Sequence, residues 1–119
     1  MGGRAVLLPE GRLLPHVTDL GGCIASHRVT LDRAPIRWMY RSHPVWPGDS
    51  GWRFFAGDED DDAMVDPDRF GIYAIDAIAA LDPTIVPWLF QPIGATLERN
   101  DVAEGFVEAV AWRSAHPRR

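Results

Sequence analysis

Gly51-Trp-Arg-Phe-Phe-Ala-Gly-Asp-Glu-Asp-Asp-Asp62, followed by Asp66-Pro-Asp-Arg-Phe-Gly-Ile-Tyr73 and Asp82-Pro-Thr-Ile-Val-Pro-Trp-Leu89, is the stretch on which the reading of this chain turns. Trp52, Phe54 and Ala56 alternate with Arg53 and Phe55, the period of a half-buried strand. That strand runs straight into a block of five consecutive carboxylates, Asp58, Glu59, Asp60, Asp61 and Asp62. Asp58 is placed to cap a short acidic helix, with its neighbours at the positive end of the helix dipole. Pro67 ends that helix, because the residue before a proline is pushed out of helical geometry. Phe70 to Ile75 reads as another strand, and Asp76 as the cap of a small helix reaching Leu81. Asp82 with Pro83 then gives a second cap followed by proline at the first helical position, and Pro87 keeps that helix short or kinked.

Working upstream, Cys23, Ala25, Val29 and Leu31 alternate with Ser26, Arg28 and Thr30, which predicts a half-buried strand. Ile36, Trp38 and Tyr40 alternate with Arg37 and Arg41 in the next one. The expected register therefore buries Trp38, Trp52 and Phe54 on one sheet face and points Arg37, Arg41 and Arg53 away from it. Ser42 to Ser50 carries Pro44, Pro47 and Gly48 and reads as a long hairpin loop with Trp46 near its tip. Downstream, Ala95 to Arg99 and Phe106 to Trp112 suit a closing pair of strands, although Val107, Val110 and Ala111 also fit a helical face. The sum is an α+β domain, a mostly antiparallel β-sheet with short helices inserted between strands. Residues 1–20 are expected to form an irregular arm whose Leu7, Leu8, Leu13 and Leu14 pack on the domain at 21–113, and 114–119 to form a frayed tail.

Composition narrows the function classes. The chain has 119 residues, enough for one domain, with 46% hydrophobic and 24% charged residues, an ordinary globular balance. Twelve basic residues against 17 acidic ones leave a net charge of −5, which disfavours nucleic acid and anionic membranes as partners and favours a basic protein. One cysteine, Cys23, excludes an internal disulfide and a multi-cysteine zinc cluster. The apolar run Ala5-Val-Leu-Leu is too short for a signal core or a membrane span, so a cytoplasmic location is expected.

No catalytic, metal or cofactor constellation emerges. Aligned to a calcium loop, Asp58, Asp60 and Asp62 take ligand positions, but Ala63 replaces the turn glycine and Arg69 the bidentate glutamate. His16, His43 and His116 have no companion at ligand spacing, and His27 and Cys23 are too far apart on a strand to share an ion. Cys23 lacks a nucleophile's surroundings and reads as a small buried hydrophobe. Phosphate-cradling loops are absent, and the chain has no lysine. Among Trp38, Tyr40, Trp46, Trp52, Phe54 and Phe55, Trp46 differs in sitting on a Pro-rich loop, which makes it the candidate exposed anchor for a partner.

The motifs Ser26-His27, Trp38-Met-Tyr-Arg41, Asp49-Ser-Gly-Trp-Arg-Phe-Phe55, Gly57-Asp-Glu-Asp60, Asp66 to Tyr73 and Asp82 to Leu89 resemble a bacterial family, immunity protein 33 of polymorphic toxin systems. The resemblance covers about Cys23 to Arg99. It implies a non-enzymatic protein-binding domain that neutralises a cognate toxin made by related bacteria, and it brings no catalytic residues and no cofactor. Trp46 and the segment Asp58, Glu59, Asp60, Asp61, Asp62 are then the expected partner-binding residues, with a basic toxin as the target that charge favours. Two competing readings are a stand-alone regulatory or small-ligand-binding module and an enzyme whose site assembles from scattered Asp, Arg and Tyr.

Overall fold

In the computed structural model, residues 20–109 are described in full, together with the backbone of a short antiparallel ladder between β1 (Val6–Leu7) and β2 (Leu13–Leu14). The expectations for the arm's leucine packing, the frayed tail, and residues 110–112 lie outside the described residues. The domain is α+β. A sheet is built from β3 (Gly22–Ser26), β4 (Trp38–Arg41), β5 (Asp49–Phe55), β6 (Phe70–Ala74), β7 (Thr96–Glu98) and β8 (Val107–Glu108). Its strand order is β6-β3-β5-β4-β7-β8, with β3 and β5 parallel and every other pair antiparallel.

One face carries the core. Cys23, Ala25, Met39, Trp52, Phe54 and Leu97 point into it and are almost fully buried. Short helices cover them: α1 (His27–Thr30) through Val29, α3 (Ile75–Leu81) through Ile75, Ile78 and Ala79, and a 3-10 turn, Pro83–Trp88, through Ile85 and Val86. Trp52 stacks on Phe54 with ring centroids 5.9 Å apart, and its indole N–H donates to the Leu89 carbonyl at 3.0 Å. A buried Trp of this kind contributes roughly 4–6 kcal/mol of gross transfer free energy, and the hydrogen bond removes the penalty of burying its polar edge.

The first predicted strand is cut short. Ser26 accepts a hydrogen bond from the Arg28 N–H and caps α1, so the chain turns where period two promised extension. Val29 is nonetheless buried, because residues four apart share a side both on a strand and across one helical turn. Leu31, beyond that coincidence, is 67% exposed.

The register of β4 is also one residue off the expectation. Trp38 pairs with Phe55, Met39 with Phe54, Tyr40 with Arg53 and Arg41 with Trp52, so Met39 and Arg41 face the core side and Trp38 lies on the opposite face. Ile36 misled the parity. It is buried, but its N–H donates to Asp82 and its carbonyl accepts from Arg99, which pulls it off the ladder. Arg41 does not point away. It lies beside Trp52 at 5.9 Å and donates to the carbonyls of Ser50 and Gln91.

Two helix starts differ in detail and a third agrees. The acidic helix α2 spans Asp61–Met64 and is capped by Asp60, not Asp58. Ala74 precedes α3 without a side-chain cap, leaving Asp76 inside the first turn. Asp82 caps its 3-10 turn as expected, accepting from the Thr84 N–H and hydroxyl, and Pro87 lies inside it. Cys23 sits in the core, where burial pushes its thiol up to about 12. Alkylation of Cys23 in the native protein is therefore expected to proceed at the rate of global unfolding, rising sharply in denaturant when followed by mass spectrometry.

Candidate partner-binding face

β5 is buried along its whole length because it is covered on both sides. The side away from the core begins with a charge. Arg53 donates to both carboxylate oxygens of Asp49, at 3.0 and 2.8 Å, and the two side chains are 8% and 0% exposed. Burial alone would raise the Asp49 carboxyl. The hydrogen bonds from Arg53 and from the N–H groups of Gly51 and Val45 outweigh that and bring it down to about 2. Arg53 does leave the core face, as the alternation required, but it is buried there instead of solvated.

Trp46 covers this pair. It is half-buried, with the Arg53 guanidinium 5.4 Å from its ring centroid and with its ring against Gly22. The loop residue beside it, Val45, is 72% exposed. Beyond Arg53 a row of aromatic rings crosses the sheet. Phe70 meets Phe55 edge-on, Phe55 stacks on Trp38 at 4.4 Å, and Tyr40 lies 5.8 Å from Phe55. Ile72 extends the row at 67% exposure on β6, opposite Ile24 in the ladder. Val107, paired with Glu98 at the far edge, is 58% exposed.

The acidic segment lies past the other end of β5, and its carboxylates do different work. Asp58 receives two bonds from Arg28, the shorter 2.6 Å, which lower its pKa and tie the segment to α1. Glu59 accepts from the N–H groups of Ala56 and Gly57 and closes the turn after the strand. Asp60 accepts from the Ala63 N–H and caps α2. Asp61 and Asp62 are exposed and make no ion pair or side-chain hydrogen bond among the described residues. The carboxylates diverge, and no group of three or more His, Cys, Asp or Glu among the described residues could hold a metal ion.

The comparison with known families decides the broader question. The family model for the immunity protein Imm33 domain matches residues 23–110, most of the chain. The chain belongs to the Imm33 family. No curated protein and no solved structure matches it. The motifs that suggested this family in the sequence thus lie within the matched span. Much of what they encode is architecture: Asp49, Gly51, Trp52, Arg53, Asp58 and Glu59 hold β5 and its two turns in place.

The structure sets the six expected partner-binding residues in two groups, Trp46 before β5 and Asp58 to Asp62 after it. Six residue steps of strand separate Asp49 from Phe55, about 20 Å at the usual rise. The aromatic row lies between the groups. Sequence reading missed this row because it assigned Trp38 to the core. It also missed the Asp49–Arg53 pair, although even spacing on a strand puts both on one side.

Proposed function

We propose that this Imm33-family chain protects by binding a protein toxin and occluding it, with the face that runs from Trp46 across the aromatic row to α2 forming the contact. The observation that carries the reading is the use of the acidic block. Asp58, Glu59 and Asp60 are committed to the fold, whereas Asp61 and Asp62 stand exposed beside an aromatic sheet face. Free carboxylates next to partly exposed rings supply the two things an inhibitor needs, electrostatic steering and apolar anchoring. A basic toxin surface is the complement, and a cytoplasmic setting, where the toxin would act on its maker, is part of the same proposal. No chemistry by the chain itself is required.

Charge reversal at Asp61 and Asp62 is the clean probe, because reversing Asp60 would also remove a helix cap. The double reversal is expected to slow association with the toxin encoded beside the gene by about tenfold at low salt, the difference shrinking as salt rises. Trp46→Ala should mainly speed dissociation, by an amount on the order of 2 kcal/mol. Association and dissociation rates measured at several salt concentrations, with thermal melts to confirm folding, test both. Undiminished binding by the triple variant would place the contact elsewhere.

A further inference from the structure

At the α2 end of this face lies a cleft of about 490 Å³ between α2 and the β4 and β7 strands. Trp38 and Met64 give it apolar walls, and Asp61 and Glu98 enter it from α2 and β7. We infer that this cleft receives an arginine side chain of the partner protein, its guanidinium over Trp38 and between Asp61 and Glu98. The inference rests on the protein-binding reading above and specifies where and how the partner is held.

Charge accounting supports it. Arg37 and Arg99 also border the cleft, but each already faces an acid: Arg37 lies 3.9 Å from Asp58, and Arg99 donates to Asp82 at 3.1 Å. Arg37 is further held by the Ala56 carbonyl, and Arg99 by the Ile36 carbonyl and by packing 4.2 Å from the Phe106 ring centroid. Glu59 is held by two backbone N–H groups, those of Ala56 and Gly57. Asp61 and Glu98 make no ion pair among the described residues. The cleft therefore holds carboxylates that no ion pair engages, while the two arginines on its border are turned to Asp58 and Asp82.

Its shape suits the same ligand. Trp38 is only partly buried and is braced from one side by Phe55 at 4.4 Å, so the ring is a rigid platform. A planar cation over an indole, flanked by carboxylates, gains from the ring quadrupole and from charge-assisted hydrogen bonds together. Arginine fits better than lysine, whose compact ammonium cannot stack and bond two carboxylates in one plane. The volume lies within the range of ordinary ligand pockets.

The experiment titrates N-acetyl-arginine amide into the protein labelled at its tryptophan indoles, with N-acetyl-citrulline amide as the isosteric neutral control. A saturable shift of the Trp38 indole N–H is expected with arginine and not with citrulline, the Trp46 signal staying put. Asp61→Asn with Glu98→Gln should weaken arginine binding about tenfold, and Trp38→Leu should do the same, with melts confirming that each variant folds. No saturable shift at Trp38, or equal shifts with citrulline, would overturn the site. The toxin-binding measurement with the Asp61, Asp62 and Trp46 variants reads separately whether the protein-binding proposal survives.

Discussion

Asp49→Ala should destabilise the domain by about 3–5 kcal/mol, a large fraction of the total stability of a domain this size. The loss comes less from the missing attraction than from what remains. Arg53 is 6% exposed and would keep its charge in place with only the Trp52 carbonyl and the Trp46 ring as partners. The N–H groups of Val45 and Gly51 would lose their acceptor as well. Replacing both partners, Asp49→Ala with Arg53→Met, should recover much of the loss, since two apolar groups leave no orphaned charge. Denaturant unfolding of the two variants beside the wild type measures this, and a double variant no better than the single one would refute it.

The same pair sets an acid limit. A carboxyl whose folded pKa of about 2 lies below its ordinary 3.8 stabilises the fold at neutral pH, where it is ionised in both states. That contribution, about 2 kcal/mol, is lost as the pH falls from near 4 through about 2. Stability should therefore drop over that window in the wild type and drop less in the Asp49→Ala, Arg53→Met variant.

What the sequence made legible divides along one line. The alternation at Trp52 to Ala56 was readable because a central strand with one apolar side has a strong period-two signal. The α+β class followed from that strand, the proline-interrupted helices and the hairpin loop. The strand from Cys23 was cut short by a local cap at Ser26, whereas at Ile36 and in the acidic block a contact distant in sequence had taken over. Ile36 left the ladder because Asp82 and Arg99 hold its backbone from 46 and 63 residues away. Any of several carboxylates in the acidic block could have capped α2. Asp58 is excluded by its bond to Arg28, 30 residues upstream, which no local pattern displays. The candidate site suffered the same way. The acidic residues were visible as a block, but their division into structural and free charges depends on partners that only the fold brings near. Trp46 was taken for an exposed anchor because of its loop, and it is in fact half-buried over Arg53.

Gly51→Ala should be at least as damaging as loss of Asp49, and it isolates why the Gly-Trp-Arg-Phe-Phe motif begins with glycine. Gly51 has φ 91°, and a Cβ there would lie 2.0 Å from the Ser42 carbonyl oxygen. That oxygen belongs to backbone, so no rotamer change relieves the overlap. The close approach exists because the Ser42 N–H donates to the Gly51 carbonyl at 2.8 Å as the β4–β5 hairpin opens, while the Gly51 N–H donates to Asp49. Moving Gly51 therefore disturbs the hairpin and the buried ion pair together. Gly48 is the internal control: its φ is 86°, yet a Cβ there meets nothing within 4 Å. Gly48→Ala should cost only the left-handed strain of a non-glycine residue, about 1–2 kcal/mol. Gly51→Ala should exceed it by several kcal/mol, adding the clash and the weakened Asp49–Arg53 pair. Thermal or denaturant unfolding of the two variants side by side measures the difference. Equal stabilities would mean that the hairpin relaxes around the added methyl, and would remove the steric account of this glycine. A large gap would assign it to holding the floor on which Trp46 and the aromatic row are laid, so that Gly51→Ala would abolish toxin binding through the scaffold without touching the contact surface.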